Sequence, residues 1–136
     1  GMRSLHGINV HGFPNLFILG LAQGGSLVAN VTHNFTESAS AIASMVSKCL
    51  ESGSETFEPT ADAEQAWIDR LEVQDRGFLA NCTPGYYNNE GAPASDRDLF
   101  STARYPDGPV AFFEYLRKWG SNGKFEGLEF SPPTTT

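Results

Sequence analysis

The sequence predicts an α+β fold with three main helices and a few short strands. Three stretches repeat apolar residues at steps of three and four, which is the spacing of amphipathic helices. Two shorter apolar runs are bounded by turn residues, as strands commonly are. The chain has 136 residues, a length that suits one domain of about 100–200 residues.

The first strand is predicted at residues 16–19, a continuous run of Leu, Phe, Ile and Leu between Pro14 and Gly20. A run without polar alternation is typical of a strand buried on both faces, as in parallel sheets. The turn Gln23-Gly24-Gly25 follows it, and a helical pattern comes next. A strand, a glycine turn and a helix form the second half of a βαβ-type unit.

The first helix is predicted at residues 26–50, with Gly53 placed where a helix C-terminus often has glycine. Its apolar stripe, which we expect to face a sheet, is formed by Val31, Phe35, Ile42, Met45, Val46, Cys49 and Leu50.

Two more helices are predicted downstream. Residues 57–60 read as a linker in which Thr60 is the N-cap of a helix that runs from residue 61 to about 74–79. Residues 80–104 read as a long loop, which in compact domains is often functional. A third helix begins at residues 107–109, where Pro109 suits the first turn. Residues 125–130 are predicted to form a short final strand.

Composition excludes several classes of function. The net charge is −7 and the pI about 4.8, which argues against binding to nucleic acid or to an anionic membrane. The sequence has no stretch of about 18 apolar residues and no apolar signal-peptide core, so we expect a cytoplasmic protein without a transmembrane segment. Cys49 and Cys82 are far apart and form no CxxC pair, so we expect them to be reduced.

The turn Gln23-Gly24-Gly25 is the best candidate for chemistry. Glycine lets a backbone approach a ligand closely, and the helix that follows presents unpaired N–H groups at a positive dipole end. An anion or the pyrimidine edge of a flavin would be stabilised there. The phosphate-binding patterns GxGxxG and GxxxxGK[ST] are absent from the sequence. A plain strand-to-helix turn without a ligand is the alternative.

Other candidate sites have weaker support. His6, His11 and His33 have spacings that match no zinc pattern, so we expect no metal site. Cys82 or Ser26 beside a histidine could form a nucleophile system, but no signature of one is present. We therefore expect no catalytic residue in this chain.

Four stretches of the chain, taken in order, carry a resemblance to a known family. They read "HGFPNLFILGLAQGG" followed by "ANVTHNFTESASAIASMV", then "FEPTADAEQAWIDRLE", "CTPGYYNNEG" and "GPVAFFEYLRKWGSNGKFEGLEF". These stretches resemble the C-terminal segment of Baeyer–Villiger flavin monooxygenases, of the cyclohexanone and 4-hydroxyacetophenone monooxygenase type. The resemblance covers nearly the whole chain.

The resemblance implies the C-terminal portion of an enzyme that uses FAD, NADPH and oxygen to insert an oxygen atom beside a ketone carbonyl. It implies that residues 1–56 are the last strand, turn and helix of an FAD-binding domain and that residues 57–136 are a C-terminal extension. Gln23, Gly24, Gly25 and Asn30 would then face the flavin, and Asn88 would lie near NADP. The dinucleotide-binding motifs and the arginine region of the family are absent here, so we expect no activity and no tightly bound cofactor in this chain alone.

Two kinds of partner fit that interpretation. The chain would pair with itself as a homodimer, or it would dock on a separately encoded chain that binds FAD and NADP, because its apolar faces would otherwise be exposed. The alternative hypothesis is a small non-catalytic binding or interaction module, homo-oligomeric and derived from that segment. Its ligand would lie in the loop of residues 83–91, against Tyr86 and Tyr87.

Overall fold

The computed structural model describes residues 3–24, 29–73, 83–85 and 103–134. Over these residues it confirms the predicted α+β fold with three main helices and short strands. In chain order, the elements are a 3₁₀ turn (Ala22–Gly24), α1 (Val31–Glu51), β1 (Thr56–Pro59), α2 (Ala61–Arg70), β2 (Glu72–Val73), β3 (Ala103–Arg104), α3 (Gly108–Ser121) and β4 (Leu128–Ser131).

The strands form two antiparallel pairs. β1 pairs with β4 so that Phe57 lies opposite Phe130, and the two rings stack with centroids 5.2 Å apart. β2 pairs with β3 over two residues each. The prediction of a final strand near residues 125–130 is confirmed by β4, whereas the linker predicted at residues 57–60 is wrong, because β1 occupies most of it. Residues 56–59 form a strand because β4, which lies about 70 residues further along the sequence, supplies their hydrogen-bond partners.

The prediction of a buried strand at residues 16–19 is wrong. These residues form no strand, and Leu16 and Leu19 are 44% and 55% exposed. The backbone is held locally, by Leu16 N donating to Phe13 O and Ile18 N donating to Ile8 O. The apolar run expresses a preference for burial, but a strand also needs neighbouring strands, and the described residues provide none beside it.

The helix boundaries differ from the predictions in two places. α1 begins at Val31 rather than at residue 26, and residues 25–28 lie outside the described part of the chain. α2 ends at Arg70, since Leu71 takes an extended ψ of 137° and leads into β2. The predicted continuation to residues 74–79 is therefore wrong at Leu71. The third helix is confirmed, with Pro109 in the first turn of α3. Within the described residues, no helix combines the length and apolar character needed to cross a bilayer.

α1 directs much of its apolar stripe away from the protein. It buries Met45 and Cys49, as predicted, but its other buried residues are Asn34, Glu37 and Ser38. The stripe members that remain exposed are Val31, Phe35, Val46 and Leu50, by 40%, 40%, 37% and 74%. Four of the seven residues of the predicted sheet-facing stripe are therefore uncovered in this structure. α1 is joined to α3 through Glu37, whose carboxylate accepts from Arg117 Nε at 2.9 Å.

One apolar core connects the helices with the N-terminal loop. Its buried members are Leu5, Ile8, Met45, Cys49, Phe57, Trp67, Leu71, Tyr105, Phe112, Phe113, Leu116 and Phe125. They come from both sides of residue 56, where the resemblance places a domain boundary. That boundary stays a prediction.

Candidate functional site

The turn that contains Gln23 is buried and firmly held. Gln23 has no exposed surface and takes a left-handed backbone conformation, with φ 57° and ψ 28°. The Ser4 hydroxyl donates to its side-chain Oε1, and the Trp67 indole N–H donates to its carbonyl oxygen at 2.9 Å. The side chain and carbonyl of Gln23 thus bond to groups of this chain.

The glycine beside Gln23 is required for internal packing. A Cβ atom on Gly24 would lie 2.4 Å from Cζ of Phe112, far closer than two carbon atoms can approach. Gly7 comes equally close to the same turn, since its Cβ would lie 2.3 Å from Ala22 O. The contact of Gly24 with a ligand stays a prediction; the structure shows that the position of a Cβ atom on Gly24 is filled by the Phe112 ring.

Asn30 acts at the start of α1. Its side-chain Oδ1 accepts hydrogen bonds from the backbone N–H groups of Thr32 and His33, at 2.9 and 3.3 Å. This N-cap satisfies donors that an anion would otherwise use. Of the other predicted cofactor-binding residues, Gly25 and Asn88 lie outside the described part of the chain.

The described turn has no built anion site, because Gln23 and Gly24 are buried and α1 is capped. It offers a rigid backbone at Gln23 and Gly24, and its capped helix leaves few amides for an anion. The adenosine diphosphate half of FAD is normally bound by a separate Rossmann turn.

A second cluster, which the sequence analysis did not find, surrounds His6. This residue is 3% exposed, and its ring meets Trp67, Tyr115 and Trp119 edge-on, with centroids 4.6, 5.1 and 4.4 Å away. Its Nε2 lies 3.1 Å from the Tyr115 hydroxyl oxygen. Burial, aided by the charge of Arg70, lowers the pKa of His6 to about 3. The imidazole is therefore neutral at pH 7.

A cavity of about 340 Å³ adjoins this cluster. Its lining comprises Leu5, His6, Ala63, Ala66, Trp67, Arg70, Tyr115, Trp119, Glu126 and Gly127. The Arg70 guanidinium lies over the rings of Tyr105 and Tyr115, 5.0 and 4.9 Å from their centroids, and donates to the Tyr105 hydroxyl at 2.7 Å. These residues come from distant parts of the sequence, so no spacing pattern could reveal the cavity. The only available signals were the aromatic residues of α3 and a histidine without an assigned role.

The three histidines considered for a metal site do not form one. His11 Nδ1 lies 2.9 Å from Pro59 O, and His33 Nε2 lies 3.4 Å from a Glu37 oxygen, whereas His6 is enclosed by aromatic rings. Among residues 3–24, 29–73, 83–85 and 103–134, no group of three His, Cys, Asp or Glu residues is arranged to hold a metal ion. Ser26 and Cys82 lie outside these ranges.

The hydrogen bond from Trp67 to Gln23 gives a measurable prediction. Trp67→Phe removes an indole donor inside the core, and we expect a loss of about 1–3 kcal/mol in the free energy of unfolding. Trp119→Phe is the matched control, because its indole also donates to a backbone carbonyl, that of Glu126 at 2.8 Å, but at an exposed position. Water can replace that bond, so we expect a loss below about 1 kcal/mol. Urea denaturation would measure both, and equal losses would contradict the assigned role of Trp67.

Curated relatives match the chain nearly from end to end. Pentalenolactone D synthase of Streptomyces exfoliatus is 42% identical over 133 residues, which are 95% of this chain and 22% of that protein. The FAD-binding monooxygenase hmp7 of Hypomyces subiculosus is 37% identical over 95% of this chain and 21% of its own length. A Baeyer–Villiger monooxygenase of Streptomyces coelicolor is 46% identical over 88% of this chain and 19% of its own length. No family model matches the chain.

Solved structures agree with the sequence relatives. A polycyclic ketone monooxygenase of Thermothelomyces thermophila matches with a TM-score of 0.79 and 28% identity, over 97% of this chain and 21% of that one. A cyclohexanone monooxygenase of Rhodococcus sp. Phi1 bound to NADP+ shares the fold, with a TM-score of 0.72 and 19% identity over 96% of this chain and 24% of that one. The chain spans about a fifth of the length of the curated relatives it matches. Nearly the whole of this chain is therefore homologous to the C-terminal segment of Baeyer–Villiger monooxygenases.

Proposed function

We propose that this chain is the C-terminal portion of an FAD- and NADPH-dependent monooxygenase that inserts oxygen into ketones by Baeyer–Villiger oxidation. The observation that carries the proposal is the agreement of sequence and fold: a relative named for this reaction is 46% identical, and a solved ketone monooxygenase superposes over 97% of the chain. In this proposal, most of the ketone pocket is built by the part of the enzyme outside this chain.

The same relatives support the cofactors of this proposal. Hmp7 is named an FAD-binding monooxygenase, and the Rhodococcus enzyme of the same fold is described with NADP+. When bound, the flavin supplies the activation of oxygen. In this proposal, Gln23, Gly24, Gly25 and Asn30 lie beside the flavin ring and Asn88 lies near NADP. Because Ser4 and Trp67 bond to Gln23, the contribution of Gln23 is to fix the backbone of this wall.

The chain contributes structure and no catalytic group in this proposal, so it is inactive alone and holds no cofactor tightly. The exposed stripe of α1, formed by Val31, Phe35, Val46 and Leu50, packs against the FAD-binding part of the enzyme, whether that part is separately encoded or not. In its absence, the stripe pairs with a second copy as a homodimer. We place the assembly in the cytoplasm.

A chimaera tests the proposal directly. The matching segment of the Streptomyces coelicolor monooxygenase, which is 46% identical, would be replaced by this chain. We expect the chimaera to purify with FAD and to consume NADPH in an oxygen-dependent manner. The same enzyme truncated before the segment should do neither.

A chimaera that holds FAD but consumes no NADPH would contradict the proposed function. The chimaera also separates the alternatives, because a non-catalytic module in place of the segment should give no oxygen-dependent consumption of NADPH. Both hypotheses expect the isolated chain to be a homo-oligomer without tightly bound FAD. A yellow isolated chain with one flavin per copy would contradict the view that the anchoring part of the site lies elsewhere.

A further inference from the structure

We propose that the cavity beside His6 binds a small planar aromatic carboxylate. The cavity measures about 340 Å³, within the range of small-molecule sites, which are mostly apolar with a few convergent polar groups. It lies between the N-terminal loop, α2, α3 and the turn before β4, and none of the residues assigned to the flavin or to NADP lines it. This inference does not rest on the proposed function.

The aromatic lining of the cavity favours a ligand with a flat, apolar ring. Trp67, Trp119 and Tyr115 all line the cavity, and aromatic rings favour stacked or edge-on contacts with another ring. Trp67 is held in position by its bond to the Gln23 carbonyl, and Trp119 by its bond to the Glu126 carbonyl. Trp67, whose bond is buried, is thus fixed before a ligand arrives, which favours binding because less freedom is lost.

Arg70 selects a negatively charged ligand. Its guanidinium is held over two tyrosine rings and by a hydrogen bond to Tyr105, and no acidic residue in the described part of the chain pairs with it. Several of its N–H donors are therefore available, in a planar arrangement that matches a carboxylate.

Glu126 brings an opposing charge to the same cavity and would favour a cation. Glu126 and Arg70 are both exposed, but Arg70 donates a hydrogen bond to Tyr105, whereas no described residue holds the Glu126 carboxylate by a side-chain hydrogen bond or an ion pair. The fixed charge of Arg70 therefore decides the sign of the ligand, and the first experiment compares ligands of different charge.

His6 is the most deeply buried polar residue of the cavity lining. Its Nε2 is engaged with Tyr115, but its Nδ1 is buried and has no hydrogen-bond partner among the described residues. Buried polar atoms are normally paired. Nδ1 itself has almost no solvent-accessible surface, so a ligand in the cavity could reach it only after the ring of His6 shifts.

The two tryptophans make the test direct, because the chain has only two and both line the cavity. The 136-residue chain would be titrated at pH 7 with benzoate, benzamide and benzylammonium, three probes that share a phenyl ring and differ in charge, while intrinsic fluorescence is recorded. We expect saturable binding of benzoate, about tenfold tighter than benzamide, since a charge-assisted hydrogen bond is worth about a factor of ten or more. Benzylammonium should bind most weakly.

Arg70→Gln should weaken benzoate binding about tenfold and leave benzamide unchanged. Lys48→Gln, which removes a positive charge on α1 away from the cavity, should change neither, and far-UV circular dichroism would verify the folding of both variants. The proposal is overturned if no probe binds saturably to the unaltered chain, if benzylammonium binds tightest, or if a folded Arg70→Gln variant keeps its affinity for benzoate.

Discussion

Replacing Gly7 with alanine is expected to destabilise the protein by about 2–5 kcal/mol. The substitution has two separate costs. Gly7 has φ +72°, where an L-residue is disfavoured by about 1–2 kcal/mol. The new Cβ would also lie 2.3 Å from the carbonyl oxygen of Ala22, and relieving such an overlap typically costs a further 1–3 kcal/mol. The overlapping atom belongs to the backbone, so no side-chain rotation can remove it.

Gly12→Ala separates the two costs. Gly12 has a similar φ of +81°, but nothing lies within 4 Å of the position of its Cβ. We therefore expect Gly12→Ala to lose only the conformational part, about 1–2 kcal/mol. Urea denaturation of both variants would measure the difference. If the two losses were equal, the packing of the N-terminal loop on the Ala22–Gly24 turn would not be as close as the structure shows.

The helices could be predicted because their signals are local. Thr60 was identified as an N-cap from its position before an acidic first turn, and its hydroxyl oxygen does accept from Ala63 N at 3.1 Å. Pro109 likewise marked the start of α3. Such signals depend on residues within one helical turn, so the sequence alone carries them.

The strands could be predicted only in part, because a strand depends on a partner. Residues 16–19 have the apolar character of a buried strand but no neighbouring strand among the described residues, and they remain irregular. Phe57 sits in a segment that reads as a linker, yet it pairs across the sheet with Phe130. The information that decides both cases lies far away along the chain.

The candidate sites show the same limit. The glycine turn at Gln23 and Gly24 can be predicted from the sequence, and in the structure this turn is strained and buried. Spacing along the sequence does not reveal its partners, which are Ser4, Trp67 and Phe112. The cavity beside His6 needs residues from the N-terminal loop, α2 and α3 at once. Sites of this kind become visible only after the chain has folded.

The stability of the protein is expected to fall steeply in mild acid because His6 is buried as a neutral imidazole. The pKa of His6 is about 3 in the folded protein, against about 6.5 in an unfolded chain. Between these two values, the unfolded chain binds one proton more than the folded protein, so acid favours unfolding. The contribution of His6 is therefore fully present above pH 6.5 and is lost as the pH falls towards 3. Each pH unit in this window costs about 1.4 kcal/mol, or roughly 2–3 kcal/mol between pH 6.5 and 4.5.

His6→Asn isolates this effect from the titration of the carboxylates. His6 has φ 58°, and asparagine is among the residues that tolerate this conformation. The variant loses packing at every pH. Between pH 4.5 and 6.5, however, its free energy of unfolding should change less steeply with pH than that of the unaltered protein, and the difference in slope corresponds to the uptake of up to one proton on unfolding. Urea denaturation across this range gives the two slopes, and the NMR signal of the His6 ring should show a neutral imidazole at pH 4.5. Parallel slopes together with a ring that titrates near pH 6.5 would show that the aromatic cluster admits a charged imidazole, and the burial assigned to His6 would then be wrong.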